Sequence, residues 1–487
     1  MLFNSIDFII FFVVILSAIV IIKNKKYQHV FLLISSYFFF YFSSNYLIVL
    51  LIASTLLDFY IGKEIWNCKN IVKKKILLIL SLTGNIGLLG FFKYADFGIV
   101  QINQFTNTLG FPEIPSLEWI LPIGISFYTF QTISYTIDVY RGKLEPSKSL
   151  SEFALFVSFF PQLVAGPIVR ASDFLPQLRE KLEKKGNSMK QIIIHNSNLK
   201  IGVTIMTFGF FKKMFFADNI APLVDSVFAY PIGASSFEII LGTIAFGIQI
   251  YGDFSGYSDI AIGAALILGF KIPRNFNKPY FATSPSDFWR KWHISLSSWL
   301  RDYVYFPLGG NKKNISRTYL NLFLVMFLGG LWHGASWNFA IWGILHGSYL
   351  AIHKIILDKF PILKNHKLFK TKQGKIISII ITQYFVFLAW IPFRVQDFDH
   401  MIYSMQKYII FDFNFIELFP FIITHKFPLF LMFLFVLMNF ISYRKPDLIK
   451  KISSMGLISW GAVITIILAM IVFFYDGNST DFIYFRF

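Results

Sequence analysis

A chain of 487 residues in which 55% are hydrophobic and only 15% are charged cannot cover the surface of a soluble protein of this size. Its mean hydropathy is +0.58, and its formal net charge is +18. The basic residues lie between long apolar runs, which is typical of cytoplasmic loops in a membrane protein and not of a nucleic-acid binder. The single cysteine, Cys68, excludes a disulfide framework and a multi-cysteine metal site.

Apolar stretches that predict membrane helices recur along the whole chain. The first, Asp7–Ile22, is followed by Lys23, Lys25 and Lys26 and has no basic residue before it, so we predict an anchor with its N-terminus outside, not a cleaved signal peptide. The further predicted spans are Val30–Phe42, Tyr46–Ile61, Ile76–Phe92, Trp119–Val139, Ile201–Phe216, Phe237–Ile250, Ile260–Phe270, Tyr319–Leu331, Trp337–Ile356, Ile376–Ile391, Phe427–Ser442 and Leu457–Tyr475.

The segments between these spans differ in charge, and this difference predicts the topology. Basic segments are assigned to the cytoplasm: Lys23–Lys26, Lys63–Lys75, Arg141–Lys200, Lys271–Arg317, Lys354–Lys375 and Arg444–Lys451. Segments with few basic residues are assigned to the outside: Tyr94–Glu118, Ala217–Ser236, Val395–Thr424 and Asp476–Phe487. The two sets alternate if Val30–Ile61 and Tyr319–Ile356 each form a hairpin.

Three apolar stretches contain residues that predict a break in the helix: Phe159–Pro167, Tyr251–Asp259 and Gly329–Ala335. Because Tyr319–Leu331 would span only about 20 Å, the turn after it is expected within the membrane. Broken backbone at that depth must be surrounded by protein or by a water-filled cavity. We therefore predict an internal polar chamber, with lining residues Asp253, Ser255, Tyr257, Trp332, Asn338 and His346.

His333 is the first candidate for chemistry, because an ionisable residue within the membrane is costly to maintain there. It lies at the predicted hairpin turn, where Gly334 and Ala335 would leave room for a ligand. A buried, neutral imidazole can accept a proton from an attacking hydroxyl group. The alternative from position alone is a structural histidine that binds a backbone carbonyl group.

His293 is the second candidate, within the stretch Asp287–Tyr303. Helical spacing would place Trp289, His293, Leu296 and Leu300 on one face, opposite a basic and polar face. We expect an amphipathic helix at the cytoplasmic surface that directs His293 inward. The alternative is an interfacial helix without a catalytic role.

A basic cluster accompanies His293, and it would suit either the phosphates of a nucleotide-like ligand or anionic lipid headgroups. Its members are Arg274, Lys278, Arg290, Lys291 and Arg301. We assign donor binding to Arg290, Lys291, Trp292 and Arg301. No set of residues has the spacing of a metal site, and no bound cofactor is expected.

Several long motifs occur along the chain. Two of them are paired: RKWHISLSSWLRDYVYFPLGG at Arg290–Gly310 and GGLWHGASW at Gly329–Trp337. The others are ISFYTFQTISYTIDVYRG from Ile125, FFPQLVAGPIVRASDFLPQL from Phe159, DFSGYSDIAIG from Asp253 and FIYFRF from Phe482. In this order the motifs resemble those of the membrane-bound O-acyltransferase (MBOAT) family, and in particular its bacterial branch that O-acetylates alginate or peptidoglycan. The resemblance extends from about Ile125 to the C-terminus.

The resemblance implies an all-α polytopic membrane protein, with about 11 transmembrane helices plus re-entrant and interfacial helices around a central chamber. It implies that His333 matches the family's near-invariant histidine, and that His293 matches a position occupied by Asn or His. The donor would be cytoplasmic acetyl-CoA, a substrate. The acetyl group would pass to a periplasmic or extracellular partner acetyltransferase or to a polysaccharide hydroxyl group, and the protein would lie in the bacterial inner membrane.

The chain is expected to divide into three parts: residues 1–118 with N-terminal transmembrane helices, 119–357 with the catalytic core and re-entrant segments, and 358–487 with C-terminal transmembrane helices. Two other functions remain open. One is transfer of D-alanine from a carrier protein to teichoic acid, within the same family. The other is a transporter or flippase without covalent chemistry.

Overall fold

The computed structural model describes residues 1–119, 121–163, 166–183, 196–416, 418–475 and 482–483. Its regular structure, within those residues, consists of helices without any strand. The chain forms two compact units, which we call the first and the second unit. The first comprises Met1–Met206 and Ile260–Pro273, and the second comprises Thr207–Asp259 and Arg274–Phe487. The three-part division of the sequence has other boundaries and stays a prediction.

The N-terminal part of the chain, up to the boundary within α9, belongs to the first unit. Its helices are α1 (Ile6–Ile21), α2 (Lys25–Ser44), α3 (Ile48–Asn67), α4 (Ile71–Asn107), α5 (Ile125–Tyr140), α6 (Leu150–Ser158), α7 (Phe160–Leu163), α8 (Ala171–Glu183) and α9 (Asn196–Phe210). Side chains cap several of them: Asn70, for example, accepts hydrogen bonds from the backbone N–H groups of Val72 and Lys73 at the start of α4.

The remaining helices follow from α10 to α23, and all except the end of α11 belong to the second unit. They are α10 (Asp218–Phe228), α11 (Ser236–Ile267), α12 (Pro285–Trp289), α13 (Ile294–Leu300), α14 (Ile315–His333), α15 (Trp337–Lys359), α16 (Ile362–Asn365), α17 (Lys367–Lys370), α18 (Lys372–Arg394), α19 (Phe398–Ile409), α20 (Leu418–Thr424), α21 (Lys426–Arg444), α22 (Leu448–Ser454) and α23 (Leu457–Phe473). Two π-helical segments, Phe211–Ala217 and Arg301–Tyr305, join α9 to α10 and extend α13.

Seven segments among the described residues are long and apolar enough to cross a membrane. One of them, Lys25–Asn67, contains both α2 and α3, and two shorter apolar helices, α1 and α23, add to the set. Large apolar side chains on these helices are exposed, including Ile458 at 89% and Phe473 at 82%. Such surfaces suit lipid and not water, so the fold confirms a multi-pass membrane protein. The orientation of its termini stays a prediction.

Helix α11 corrects the predicted break at Tyr251–Asp259, because it is continuous through that segment. Its glycines serve close packing instead: a Cβ atom added to Gly256 would lie 2.7 Å from the carbonyl oxygen of Gly209. The polar residues of this segment do not interrupt the helix either. Asp253, for example, can remain within α11 because its buried charge is balanced by an ion pair with Lys213. The predicted interruption after α6 is correct at Phe159, where the backbone leaves the helical conformation; residues 164 and 165 lie outside the described residues.

The hairpin of α14 and α15 also differs from its prediction. Helix α14 has 19 residues, which is about 28 Å, so its length no longer requires the turn to lie within the membrane. Gly334 leaves no room for a ligand, because an added Cβ atom would lie 2.1 Å from the Phe339 ring. The two helices pack closely along Gly330, Gly343 and Gly347, whose absent side chains allow the backbones to approach.

Replacing Gly330 with alanine is expected to destabilise this hairpin. The added methyl group would lie 2.3 Å from the Phe339 carbonyl oxygen, so the helices must separate at a cost of about 1–3 kcal/mol. Thermal unfolding in detergent measures the loss. The control is Gly87→Ala on α4, where a Cβ atom meets nothing within 4 Å. Equal melting temperatures for the two variants would contradict this packing.

Candidate active site

His333 is the last residue of α14, and it is buried in an aromatic environment with 5% exposure. Its ring centroid lies 4.9 Å from that of Trp332, 4.9 Å from that of Trp342 and 5.1 Å from that of Phe393. Three helices therefore contribute to its surroundings: α14, α15 and α18. The sequence prediction of a buried histidine at the hairpin is confirmed, and its catalytic role stays a prediction.

His293 lies in the turn between α12 and α13, so the continuous amphipathic helix predicted for Asp287–Tyr303 is wrong. The helix breaks because His293 adopts the left-handed conformation, with φ 41° and ψ 55°. This conformation is uncommon for residues other than glycine, although Asn, Asp and His adopt it more often than the rest, and residues held in it are concentrated at functional sites. The inward direction of His293 is nevertheless confirmed, since its side chain is fully buried.

Asn275 holds this turn in place. Its carbonyl oxygen accepts a 2.9 Å hydrogen bond from the Ile294 N–H group, and its side-chain oxygen accepts one of 2.7 Å from the Ser295 hydroxyl group. The amide group of Asn275 in turn donates to the Ser258 hydroxyl oxygen at 3.3 Å. These bonds fix the backbone on either side of His293. Burial lowers the pKa of the His293 imidazole below its ordinary value, so the ring is neutral at neutral pH.

The two histidines belong to one continuous series of aromatic contacts in the second unit. The ring of His293 lies 6.1 Å from that of Trp332, which in turn contacts His333. On its other side His293 contacts Phe254 at 4.7 Å. The ring of Trp332, a predicted chamber residue, therefore contacts both predicted catalytic residues.

The C-terminal residues Phe482 and Ile483 lie beside this series. The ring of Phe482 stacks on that of Tyr257 at 4.4 Å and approaches that of Phe254 at 5.7 Å. The backbone N–H group of Ile483 donates a 2.7 Å hydrogen bond to the Asp253 carboxylate. Asp253 and Tyr257, which the sequence assigns to the chamber, thus hold a C-terminal segment. The remainder of the motif, residues 484–487, lies outside the described residues.

Lys213, in the first π-helical segment, completes this attachment. Its ammonium group is 2.9 Å from the Asp253 carboxylate and 2.7 Å from that of Asp218, and its side chain is 2% exposed. Because the ion pairs are buried, loss of the Lys213 cation would leave the Asp253 carboxylate, which also holds Ile483, without its counter-charge. The neighbouring Lys212 pairs with Asp259.

The residues assigned to donor binding differ in their exposure and in their partners. Arg290 and Arg301 are exposed, and Arg301 pairs with Asp302 at 2.8 Å. Lys291 pairs with Asp287 at 2.8 Å. Trp292 is 1% exposed in an aromatic cluster with Phe276, Phe288 and Trp390. This packing favours a structural role for Trp292, whereas the three cations stay candidates for a phosphate ligand.

The other residues assigned to the chamber make specific contacts. His346 is 1% exposed, and its ring packs against those of Trp289 at 5.0 Å and Trp342 at 4.7 Å. The side-chain amide group of Asn338 donates to the carbonyl oxygens of Val395 and Gln396, and so joins α15 to the end of α18. Ser255 is buried within α11. The chamber itself stays a prediction.

Several residues in and beside the candidate site are missed by the sequence analysis: Lys213, Phe254, Asn275, Trp342 and Phe393. Phe254 and Trp342 lie in or next to motifs that the sequence singles out, and this position is the signal that could have identified them. Asn275 and Phe393 lie more than 15 residues from the histidine beside which they pack. Lys213 lies 40 residues from Asp253, its ion-pair partner, and no local pattern indicates such pairings. Among the described residues, no group of three or more His, Cys, Asp or Glu side chains could hold a metal ion.

Comparison with known proteins is consistent with this site. The family model described as membrane-bound O-acyltransferase matches residues 146–396, which include both histidines. The chain belongs to the membrane-bound O-acyltransferase family. The match covers the segment from before α6 to just beyond α18, so it contains the whole series from Phe254 to Phe393.

The curated relatives include proteins named for the O-acetylating branch that the motifs indicate and, at lower identity, one named for D-alanyl transfer. The chain is 40% identical over 349 residues to a probable alginate O-acetylase, AlgI, of Azotobacter vinelandii, covering 71% of this chain and 66% of that protein. It is 37% identical over 372 residues to a peptidoglycan O-acetyltransferase of Helicobacter pylori, covering 72% and 67%. A teichoic acid D-alanyltransferase of Bacillus subtilis is 29% identical over 301 residues, covering 59% and 72%. The chain thus spans about two thirds of the length of these relatives, and slightly less for the first.

Proposed function

We propose that this protein is a membrane-embedded O-acyltransferase that uses cytoplasmic acetyl-CoA for O-acetylation of an extracytoplasmic polysaccharide, alginate-like or peptidoglycan. The observation that carries the proposal is the series of contacts from His293 through Trp332 to His333. It brings two buried imidazoles, widely separated in sequence, into one environment. The proposal also draws support from the relatives, whose printed names are alginate O-acetylase and peptidoglycan O-acetyltransferase.

In the proposed reaction His333 acts as general base. It takes the proton from the acceptor hydroxyl group while the hydroxyl oxygen attacks the thioester carbonyl carbon. A new C–O bond forms, the C–S bond breaks, and the thiolate of CoA leaves with the proton that His333 received. A thioester is already activated, so the protein has to hold donor and acceptor together and move this one proton.

His293 is proposed to shape the site beside Trp332. A neutral, buried imidazole can orient the acceptor substrate or the indole ring of Trp332 without itself gaining or losing a proton. The left-handed conformation and the hydrogen bonds of Asn275 support this, because they hold the ring in one place. Arg290, Lys291 and Arg301 are proposed to bind the phosphates of the donor at the cytoplasmic side of the inner membrane, with the N-terminus outside. A partner acetyltransferase or the polymer itself would receive the acetyl group.

The donor can be tested in membrane vesicles from the native host, supplied with its periplasmic fraction and polymer. We expect radiolabel to pass from acetyl-CoA to the polymer as an alkali-labile ester, and no label to pass from a D-alanyl carrier protein. Vesicles from a deletion strain serve as the control, and the gene restored on a plasmid should return the label. Transfer from the D-alanyl carrier alone would instead assign the protein to the D-alanylating branch. Loss of polymer transport without loss of acylation would indicate a transporter.

A further inference from the structure

A second polar cluster lies in the first unit and takes no part in the proposed reaction. Three helices each contribute two side chains four residues apart, which places both on one face of each helix. They are Ser54 and Asp58 on α3, Ser81 and Asn85 on α4, and Thr132 and Thr136 on α5. We call these six residues the Asp58 cluster. All six are buried, with exposures from 0% to 4%.

The Asp58 carboxylate is the centre of the cluster. One of its oxygens accepts hydrogen bonds from the hydroxyl groups of Ser81 and Thr136, the latter at 2.8 Å. The other oxygen accepts a 2.7 Å bond from the amide group of Asn85. The side-chain oxygen of Asn85 in turn accepts bonds from Ser54 at 2.6 Å and Thr132 at 3.2 Å. The oxygens thus face one another across the three helices.

The charge of Asp58 is the unexplained feature. It lies about ten residues from either end of α3, roughly 15 Å along the helix, and α3 is part of a candidate membrane span. Among the described residues Asp58 forms no ion pair; its contacts are hydroxyl and amide groups. An ionised carboxylate in a membrane interior is stabilised by a counter-charge, because desolvation of an uncompensated ion costs several kcal/mol.

The chemistry of the cluster favours one class of counter-ion. One carboxylate balances one positive charge, which suits a monovalent cation better than a divalent one. Hydroxyl, carboxylate and amide oxygens are the ligands of hard cations. Each hydroxyl group can rotate its proton away and direct a lone pair inward.

The spacing of the oxygens is also compatible. Sodium is close in size to calcium, whose oxygen ligands lie at about 2.3–2.6 Å, so neighbouring ligands lie about 3.2–3.7 Å apart in an octahedral arrangement. The cluster's oxygens are 2.8 Å apart for Thr136 and Asp58, 3.2 Å for Thr132 and Asn85, and 3.5 Å for Ser54 and Thr132. The two closest pairs, Ser54 with Asn85 at 2.6 Å and Ser81 with Asp58, must each separate by more than half an ångström before the ion fits.

We propose that the Asp58 cluster is a sodium-binding site within the membrane-spanning helices of the first unit. The ion would take oxygen ligands from α3, α4 and α5 and neutralise Asp58. Sodium binding would therefore join these three helices. The site is independent of His333, and its failure would leave the proposed acyl transfer unaffected.

The test uses the purified, full-length protein in detergent. Thermal unfolding is measured in NaCl, KCl and N-methylglucamine chloride at equal ionic strength and pH. We expect NaCl to raise the melting temperature in a saturable manner, and N-methylglucamine chloride to have no such effect. Asp58→Asn should require at least tenfold more NaCl for the same shift. The matched control is Glu64→Gln, an exposed acid on the same helix, which should retain the full response.

Radioactive sodium binding to the wild-type protein gives a measurement that does not depend on any variant. Saturable binding that unlabelled NaCl displaces, and that Ser81→Ala or Thr136→Val weakens about tenfold, would support the site. A wild-type protein without saturable sodium binding and with equal melting temperatures in all three salts would overturn it. A stronger response to KCl than to NaCl would also overturn the assignment to sodium. Asp58→Asn with an undiminished sodium response would show that the ion binds elsewhere.

Discussion

Replacing His333 with alanine is expected to lower the turnover of O-acyl transfer by about 10² to 10⁴, the range typical of a lost general base. This corresponds to roughly 3–5 kcal/mol of activation free energy. The imidazole is buried at the end of α14, so bulk water can replace its basic function only poorly. The rate of ester-linked label transfer from acetyl-CoA, divided by the amount of folded protein, measures the loss.

A purely structural role for His333 predicts a different pattern of variants. His333→Gln keeps a polar side chain of similar size but cannot accept a proton near neutral pH. If His333 is the base, glutamine should be as inactive as alanine. Recovery of more than a tenth of the wild-type turnover by glutamine would indicate that the side chain only packs. His366→Ala, at an exposed position outside the site, is the control and should keep full activity.

His293 should respond differently, because its proposed role is to shape the site. The resemblance implies that asparagine can occupy this position, so His293→Asn is expected to retain more activity than His293→Ala. The two histidines thus differ in which substitution they tolerate. That difference follows from their environments: His333 ends a helix beside Trp342 and Phe393, whereas His293 occupies a strained turn fixed by Asn275.

The sequence predicts the elements of this fold better than the contacts between them. Apolar length locates α2, α3, α14, α15, α18 and α21 to within about six residues, because the bilayer sets the length of a spanning helix. Helix α4 is an exception: it continues to Asn107, well beyond the predicted end at Phe92 and into the segment assigned to an outside loop. The error at α11 has a physical cause. Glycine and aspartate weaken a helix in water, but Gly256 permits close approach of another backbone and Asp253 pairs with Lys213. Local propensity cannot reveal either compensation.

For the candidate site, too, the sequence predicts the residues better than the contacts between them. Both histidines can be selected from the sequence by their motifs, and both are buried as expected. The contacts that join them depend on Trp332, which lies 39 positions from His293. The left-handed turn at His293 could not be read from the helical period, since the period continues through it. Side chains fixed by long-range hydrogen bonds, such as that of Asn275, leave no local signal.

Replacing Lys213 with methionine is expected to destabilise the second unit by about 3–5 kcal/mol, the cost of leaving buried carboxylates without their cation. The ammonium group lies within 2.9 Å of Asp253 and 2.7 Å of Asp218. Because Asp253 also accepts the N–H group of Ile483, the C-terminal residues should loosen together with the ion pairs. Thermal unfolding in detergent measures the stability, and protection of Ile483 in hydrogen exchange reports the attachment.

The appropriate control is an ion pair of similar length at the surface. Lys148 lies 2.6 Å from Glu183, but both side chains are about 60% exposed, and exposed pairs contribute only about 0–1 kcal/mol. Lys148→Met should therefore be nearly neutral. The double variant Lys213→Met with Asp253→Asn should regain part of the lost stability, since it removes one of the unpaired charges. Equal melting temperatures for Lys213→Met and Lys148→Met would show that the buried ion pairs do not stabilise this part of the protein. In that case the C-terminal residues must be attached through the aromatic stacking of Phe482 on Tyr257.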